Sequence, residues 1–385
     1  MVDLTLFGAT GFTGGLTADY LAVHLPADAT WAIAGRSRAK LEQVAERIAA
    51  TGRTAPEIVV ADLANESSMA AMAEGTRVLI STVGPYLEHG EPAVRAAAEA
   101  GIDYVDLTGE PQFVDEMWLK YHETAEATGA RLVHACGFDS IPYDLGVLYT
   151  VQQLPAGTPI TIKGYIRAKA SFSAGTYHSA LGQIGQFRGS RAAAKQRRAR
   201  EGRPTDRRVR GGGGVGRAEP PAKGFGVPLP TIDPQIVLRS ARALDRYGPD
   251  FTYEHHAHFR TRRMMALAAP LLGAVAVGAQ IPPVRALLVK LKSAGDGPSE
   301  EERAKSWFTL TLVGTGGDTK VVTTVRGGDP GYTETAKMLA ESAMCLAYDD
   351  LPAVSGQTTT AVAMGSALIN RLQNSGIDFA TQPAE

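Results

Sequence analysis

Three glycines stand in the run Gly8-Ala9-Thr10-Gly11-Phe12-Thr13-Gly14, directly after Val2-Asp3-Leu4-Thr5-Leu6-Phe7. The alternation and residue types of residues 2–7 predict a strand. A helical stretch over residues 15–24 follows and stops near Pro26, and residues 30–34 predict a second strand. Strand, glycine turn, helix, strand is the setting in which a turn cradles a pyrophosphate. Glycine lets the backbone approach without a Cβ in the way, and the helix behind it aims free N–H groups at the phosphates. Gly8, Thr10, Gly11, Phe12, Thr13 and Gly14 are therefore candidate dinucleotide-binding residues.

The end of the second strand discriminates between cofactors. An Asp or Glu there binds a ribose 2′-hydroxyl. This chain instead has Gly35-Arg36-Ser37-Arg38, with no acid before Glu42. A guanidinium at Arg36, with the Ser37 hydroxyl as an added donor, suits a 2′-phosphate. The expected cofactor is NADPH rather than NADH. The bland alternative is that Arg36 and Arg38 are a solvated helix start. Asp62, at the end of a third predicted strand, is a candidate for the adenine edge. Val83, Gly84 and Pro85, after a fourth, are candidates for close passage of the cofactor.

These residues need a scaffold, and the pattern supplies one. Residues 57–62, 77–86, 104–107 and 131–136 read as further strands, with helices over residues 93–100 and 112–128 between them. The apolar run at residues 77–83 is typical of a parallel strand buried on both faces. Six strands with intervening helices predict an α/β Rossmann-type doubly wound parallel sheet over residues 1–140. The whole chain is 385 residues, 44% hydrophobic and 21% charged, which suggests two or three domains and excludes wholesale disorder. Its two cysteines, Cys136 and Cys345, lie far apart, so no disulfide scaffold and no metal site is expected.

After the sixth strand comes Cys136-Gly137-Phe138-Asp139-Ser140-Ile141-Pro142-Tyr143-Asp144-Leu145-Gly146. With the glycine turn, this segment resembles the saccharopine dehydrogenase-like superfamily. The likeness is greatest to its branch that includes the actinobacterial trans-acting enoyl reductases. Gly327-Gly328-Asp329-Pro330-Gly331-Tyr332, residues 334–343 and residues 358–365 strengthen the match, while Tyr143 departs from the small residue expected at its position. The resemblance implies an NADP(H) domain, then a mixed α/β substrate domain over residues 141–330 with an antiparallel sheet, then helices over residues 331–385 packing back on the domain interface. It also implies saturation of a C=C bond on an acyl or polyketide thioester in lipid biosynthesis, on a chain borne by a polyketide synthase carrier domain. The alternatives are a saccharopine dehydrogenase-type imine or carbonyl reductase, which needs arginines to hold substrate carboxylates, and a non-catalytic lipid-surface adaptor.

Hydride transfer needs no protein nucleophile. Reduction of an enoyl thioester does need a donor for the enolate oxygen and a proton for the α-carbon. The candidate catalytic residues are Tyr86, Asp139, Ser140 and Tyr143, with His178 as a further donor. Asp139 has a structural alternative as a cap for the helix that starts near Pro142. Residues 159–166 read as a strand, and residues 307–313 and 319–325 as a β-hairpin.

Formal charge is −1 overall, yet residues 188–217 hold 11 Arg or Lys against 2 acids. Arg188, Arg191, Lys195 and Arg198 fall on one helical face. This insert is either a solvated charged loop or a dock for an acidic partner such as a carrier domain or for anionic lipid. Nucleic acid is not expected, since no aromatic residues interleave the arginines. The apolar insert, residues 264–291, contains 21 uncharged residues from 264 to 284, interrupted by Pro270, Pro282, Pro283 and glycines. It reads as a substrate-covering hairpin or as peripheral membrane contact, since those breakers oppose a straight span. With no leader ahead of the first strand, the expected location is cytoplasmic, or peripheral to the inner face of the plasma membrane.

Overall fold

The computed structural model describes residues 1–170, 187–202, 204–267, 284 and 297–383. His178 and nearly all of the apolar insert lie outside the described residues. The first part of the chain runs β1 (Val2–Phe7), α1 (Phe12–His24), β2 (Trp31–Gly35), α2 (Arg38–Ala49), β3 (Glu57–Val60), α3 (Glu66–Glu74), β4 (Thr76–Ser81), α4 (Tyr86–His89), α5 (Glu91–Ala100), β5 (Asp103–Asp106), α6 (Pro111–Thr128) and β6 (Arg131–Val133). The middle runs α7 (Ile141–Gln152), β7 (Ile160–Lys169), α8 (Phe187–Glu201), β8 (Arg208–Gly212), β9 (Gly216–Arg217), β10 (Phe225–Pro228), α9 (Asp233–Ala243) and β11 (Asp250–Phe259). The last part runs α10 (Glu300–Ala304), β12 (Trp307–Gly316), β13 (Thr319–Gly327), α11 (Thr333–Tyr348), β14 (Gly356–Thr358), α12 (Thr360–Ala363), α13 (Gly365–Asn374) and β15 (Asp378–Pro383).

The first sheet has the order β14-β6-β5-β4-β1-β2-β3, and every pairing in it is parallel. Parallel strands need both faces covered, and the side-chain period of two decides which residue faces which layer. Leu4, Leu6, Ile33, Ile80 and Val105 enter one core, together with Leu21 of α1 and Met338, Leu339 and Ala343 of α11. Phe7, Ala34, Leu79 and Tyr104 enter the other, with Met69, Ala97 and Phe113 of α3, α5 and α6. The strand order reverses between β1 and β4, the switch point at which doubly wound sheets bind ligands.

The second sheet is mixed, ordered β15-β13-β12-β7-β11-β10-β9, with β8 also pairing β11. The β12–β13 hairpin is antiparallel, as its alternation and Gly317-Asp318 turn imply. Helix α7 lies close on this sheet: a Cβ on Gly146 would come 2.9 Å from both Leu312 and Val325.

Three departures from the sequence reading stand out. Residues 331–385 supply more than helices: β14 extends the parallel sheet beside β6 and β15 extends the mixed sheet beside β13. The glycine-rich stretch at residues 208–228, with no strand pattern, forms β8, β9 and β10 at one end of the mixed sheet. Gly226 is needed there because a Cβ would lie 3.0 Å from the Tyr165 ring and 3.1 Å from that of His256. Finally, the basic insert is partly structural. Arg197 of α8 is buried against α6 through an ion pair with Asp115 at 2.5 Å, and Arg200 bonds Leu119 O and Glu123. Arg207 pairs with Asp245 and Arg210 with Asp250. Arg191, Lys195 and Arg198 remain exposed on the outer face of α8.

Candidate active site

The glycine turn joins β1 to α1, and its close packing explains its composition. Gly8 has φ +94°, a left-handed backbone that favours glycine, and a Cβ there would lie 2.7 Å from Thr82 Oγ1 and 2.8 Å from Val83 Cγ2. A Cβ on Gly14 would come 2.1 Å from Gly8 O. Gly11 starts α1 with no side-chain cap, which leaves the first N–H groups of the helix for an anion. Thr10 and Gly11 are exposed, and Phe12 and Thr13 are half-buried. The Phe12 ring meets Tyr332 edge-on at 5.1 Å, and the Arg303 guanidinium lies 5.6 Å from it. Residues from the far end of the chain therefore clamp the turn, a contact that local sequence does not signal.

Arg36 is exposed at the carboxyl end of β2. Ser37 precedes α2 without spending its hydroxyl on a cap. Both could meet a 2′-phosphate. Asp62 is exposed at the end of β3, with Oδ1 accepting the Ala64 N–H at 3.0 Å. Val83, Gly84 and Pro85 follow β4 and lie against the glycine turn through Thr82, whose N–H donates to Phe7 O at 3.0 Å. The turn, the uncapped helix and the Arg36–Ser37 pair fit NADP(H), which when bound supplies a hydride.

From this turn a chain of contacts runs along the carboxyl ends of β4, β5 and β6. Tyr86 is buried, its hydroxyl donating to Ser81 O at 3.0 Å and accepting from Leu107 N at 3.1 Å. Its phenol therefore ties the end of β4 to the loop after β5. Leu107 in turn packs on Gly137, where a Cβ would lie 2.8 Å from the Leu107 side chain. Asp139 follows two residues on. At the end of β5, Asp106 Oδ2 meets His134 Nδ1 at 2.7 Å in a fully buried pair, while Asp106 Oδ1 accepts N–H bonds from Thr108 and Ala135.

Of the four candidate catalytic residues, Asp139 alone keeps partial exposure; Tyr86, Ser140 and Tyr143 are buried. Asp139 does not cap α7, whose N-cap position is Ser140 and which has no side-chain cap. The structure places it beside groups that sequence reasoning missed, because they come from the substrate region. Asp233, at the start of α9, is 1% exposed, and its charge bears on the same site. Asp233 Oδ2 accepts from Thr231 Oγ1 at 2.6 Å and lies 3.5 Å from His255 Nε2. The buried Ser140 hydroxyl lies close enough to Asp233 to favour its carboxylate, although neither it nor Asp233 Oδ1 makes a hydrogen bond of normal geometry among the described residues.

Burial raises the Asp139 carboxyl to about 6. Burial, then the charge of Asp139, raises Asp233 to about 8. Burial pushes His255 down to about 3, so its imidazole is neutral and gives Asp233 no counter-charge. Burial, with Asp233 and Asp139, pushes the Tyr143 phenol up, so it stays protonated. The Tyr143 ring meets His255 edge-on at 4.9 Å and Phe138 at 5.6 Å. The site thus holds two carboxyls, a neutral imidazole and aromatic rings, and can keep a proton at neutral pH.

Residues 4–133 match the family described as the saccharopine dehydrogenase NADP binding domain. A Mycobacterium tuberculosis relative, provisionally named a trans-acting enoyl reductase, is 35% identical over 409 residues, covering 98% of this chain and 97% of its own. The human saccharopine dehydrogenase-like oxidoreductase is 32% identical over 427 residues, covering 98% and 96%. The fold is that of apo saccharopine dehydrogenase (L-Glu forming) from Saccharomyces cerevisiae, with a TM-score of 0.59, 11% identity and full coverage of both chains. With full-length relatives above 30% identity and a nucleotide site of matching chemistry, the chain belongs to the saccharopine dehydrogenase-like family of NADP-binding oxidoreductases.

Proposed function

We propose that the chain is an enoyl reductase that uses NADPH to saturate the C=C bond of an acyl or polyketide thioester, acting in trans on a chain carried by a partner. The observation that carries this reading is the company kept by Asp139. Among the described residues no Arg or Lys pairs with Asp139 or Asp233. An imine substrate of the saccharopine type brings carboxylates, which a pair of buried acids repels. A thioester is neutral and tolerates aromatic walls such as Phe138 and Tyr143.

The chain's own residues then divide the work. The glycine turn and the start of α1 would hold the pyrophosphate, and Arg36 with Ser37 the 2′-phosphate. Asp139, the one partly exposed candidate, would pass a proton to the substrate α-carbon. Buried Ser140 and Tyr143, with half-buried Phe138, keep water from it. The exposed stripe of Arg191, Lys195 and Arg198 on α8 supports docking of an acidic carrier domain, since clustered charge raises encounter rates. Among the described residues no helix is long and apolar enough to cross a membrane. The test is NADPH oxidation with an α,β-unsaturated acyl thioester and, separately, with an amino-acid-derived imine. Turnover of the thioester alone is expected, and turnover of the imine alone would refute the reading.

A further inference from the structure

We propose that the start of α11 is the element that sets the cofactor against the segment carrying Asp139, with Tyr332 and Thr335 as its positioning residues. Their bearing on the reaction rests on the enoyl reductase reading.

The contacts carry it. Tyr332, at the N-cap position of α11, is 3% exposed, and its ring meets Phe12 of the glycine turn edge-on at 5.1 Å. Three residues on, Thr335 Oγ1 donates to Pro330 O at 2.7 Å and accepts the Phe138 N–H at 3.1 Å. The same side chain packs on Gly137, where a Cβ would lie 3.1 Å from Thr335 Cγ2. Phe138 directly precedes Asp139. Residues three apart at a helix start lie close together. One end of one helix therefore touches both the nucleotide cradle and the segment that carries the candidate acid.

The turn ahead of the helix is built to hold this arrangement. The Asp329 carboxylate, 3% exposed, accepts the N–H groups of Gly331 at 3.3 Å, Tyr332 at 3.1 Å and Thr333 at 3.0 Å. Its carbonyl accepts the Glu334 N–H, and Glu334 Oε1 accepts that of Gly328 at 3.2 Å. The first N–H groups of α11 are thus spent within the chain, so this helix end is a brace and not an anion site. The rest of α11 is anchored, since Met338, Leu339, Ala340 and Ala343 share a core with Leu4 and Leu6 of β1 and Ile80 of β4. The segment Gly327-Gly328-Asp329-Pro330-Gly331-Tyr332 gains a role in this way.

The consequence is geometric. Hydride transfer needs the reacting atoms held about 3–3.5 Å apart, and a misplacement of about 1 Å costs roughly 10²-fold. Tyr332 fixes where the glycine turn lies, and Thr335 fixes where Phe138 and Asp139 lie. Both act through the residues they hold.

Two measurements test this. Thr335→Val keeps the shape of the side chain and removes both hydrogen bonds, while Thr335→Ser keeps them. With an α,β-unsaturated acyl thioester, Thr335→Val should lower kcat roughly 10- to 100-fold, with the Kd for NADPH and far-ultraviolet dichroism unchanged. Thr335→Ser should restore kcat. The second measurement needs no turnover. Hydrogen exchange in the peptide over residues 134–142, read by mass spectrometry, should slow when NADPH saturates the wild type. That slowing should be lost in Tyr332→Leu at saturating NADPH. A wild-type kcat in Thr335→Val, or a Thr335→Ser as slow as Thr335→Val, would overturn the positioning role. Exchange that NADPH leaves unchanged in the wild type, or slows equally in Tyr332→Leu, would overturn the link between the two sites. A wild type in which NADPH slows exchange but no thioester is reduced would uphold the link and refute the enoyl reductase reading.

Discussion

Glu110 holds the backbone of Tyr86: its Oε1 accepts the Tyr86 N–H at 3.0 Å, while its Oε2 accepts that of Leu87 at 2.9 Å. A carboxylate from the loop after β5 thus caps the helix that follows β4, and fixes the Val83-Gly84-Pro85 segment against the glycine turn. Glu110 is 3% exposed, and burial raises its carboxyl while the two N–H bonds pull it down. Glu110→Ala leaves both donors without this partner. The expected cost is about 1–3 kcal/mol of stability, together with weaker NADPH binding. Thermal melts and NADPH titration check it; unchanged affinity would separate this brace from the nucleotide site.

Gly14→Ala tests the cradle. The added methyl would overlap Gly8 O at 2.1 Å, and that carbonyl is backbone that cannot swing aside. We expect NADPH affinity to fall at least tenfold, with far-ultraviolet dichroism retained. Wild-type affinity would show that the turn does not hold the cofactor.

Arg36→Ala tests cofactor choice. A charge-assisted hydrogen bond contributes about 1.5–3 kcal/mol, so NADPH affinity should fall roughly 10- to 150-fold while NADH binding changes little. Equal losses for both nucleotides would contradict contact with the 2′-phosphate.

Asp233 also predicts a pH dependence of stability. Its carboxyl moves from an ordinary 3.8 to about 8 on folding, so between those values the folded chain binds more protons than the unfolded one. The stabilising term is complete below pH 4 and is lost as pH rises toward 8, with a slope of at most about 1.4 kcal/mol per pH unit. Asp233→Asn removes this share of the slope. The variant should therefore gain on the wild type in Tm as pH rises from 5 to 8, and a constant difference across that range would contradict the raised carboxyl.

Replacing Arg191, Lys195 and Arg198 together with alanine tests the docking stripe. Turnover of a carrier-bound substrate should drop and lose its salt dependence, while a free acyl thioester reacts as before. Equal effects on both substrates would place the stripe outside partner recognition.

Sequence and structure agree where the signal is local and periodic. The glycine turn, the apolar parallel strands and the β12–β13 hairpin each occupy one continuous segment with a clear period. Strand β14 has only three residues, and β8 to β10 are too rich in glycine and proline to show alternation. The burial of Arg197 could not be read from its charge, because its partner Asp115 lies on a distant helix. Asp233 was hidden for a further reason. An Asp followed by Pro at a helix start reads as an ordinary cap, and only the fold brings it to Asp139. The adjacent His255 and His256 in an alternating strand were the available hint, since one of any two neighbours in such a strand must point inward.

The most direct measurement is the rate of NADPH oxidation by the purified protein with an α,β-unsaturated acyl thioester in deuterated water, with the product analysed by mass spectrometry. The account predicts NADPH-dependent saturation with one solvent deuteron at the α-carbon, and no reaction with an amino-acid-derived imine. Reduction of the imine with no saturation of the thioester would contradict it.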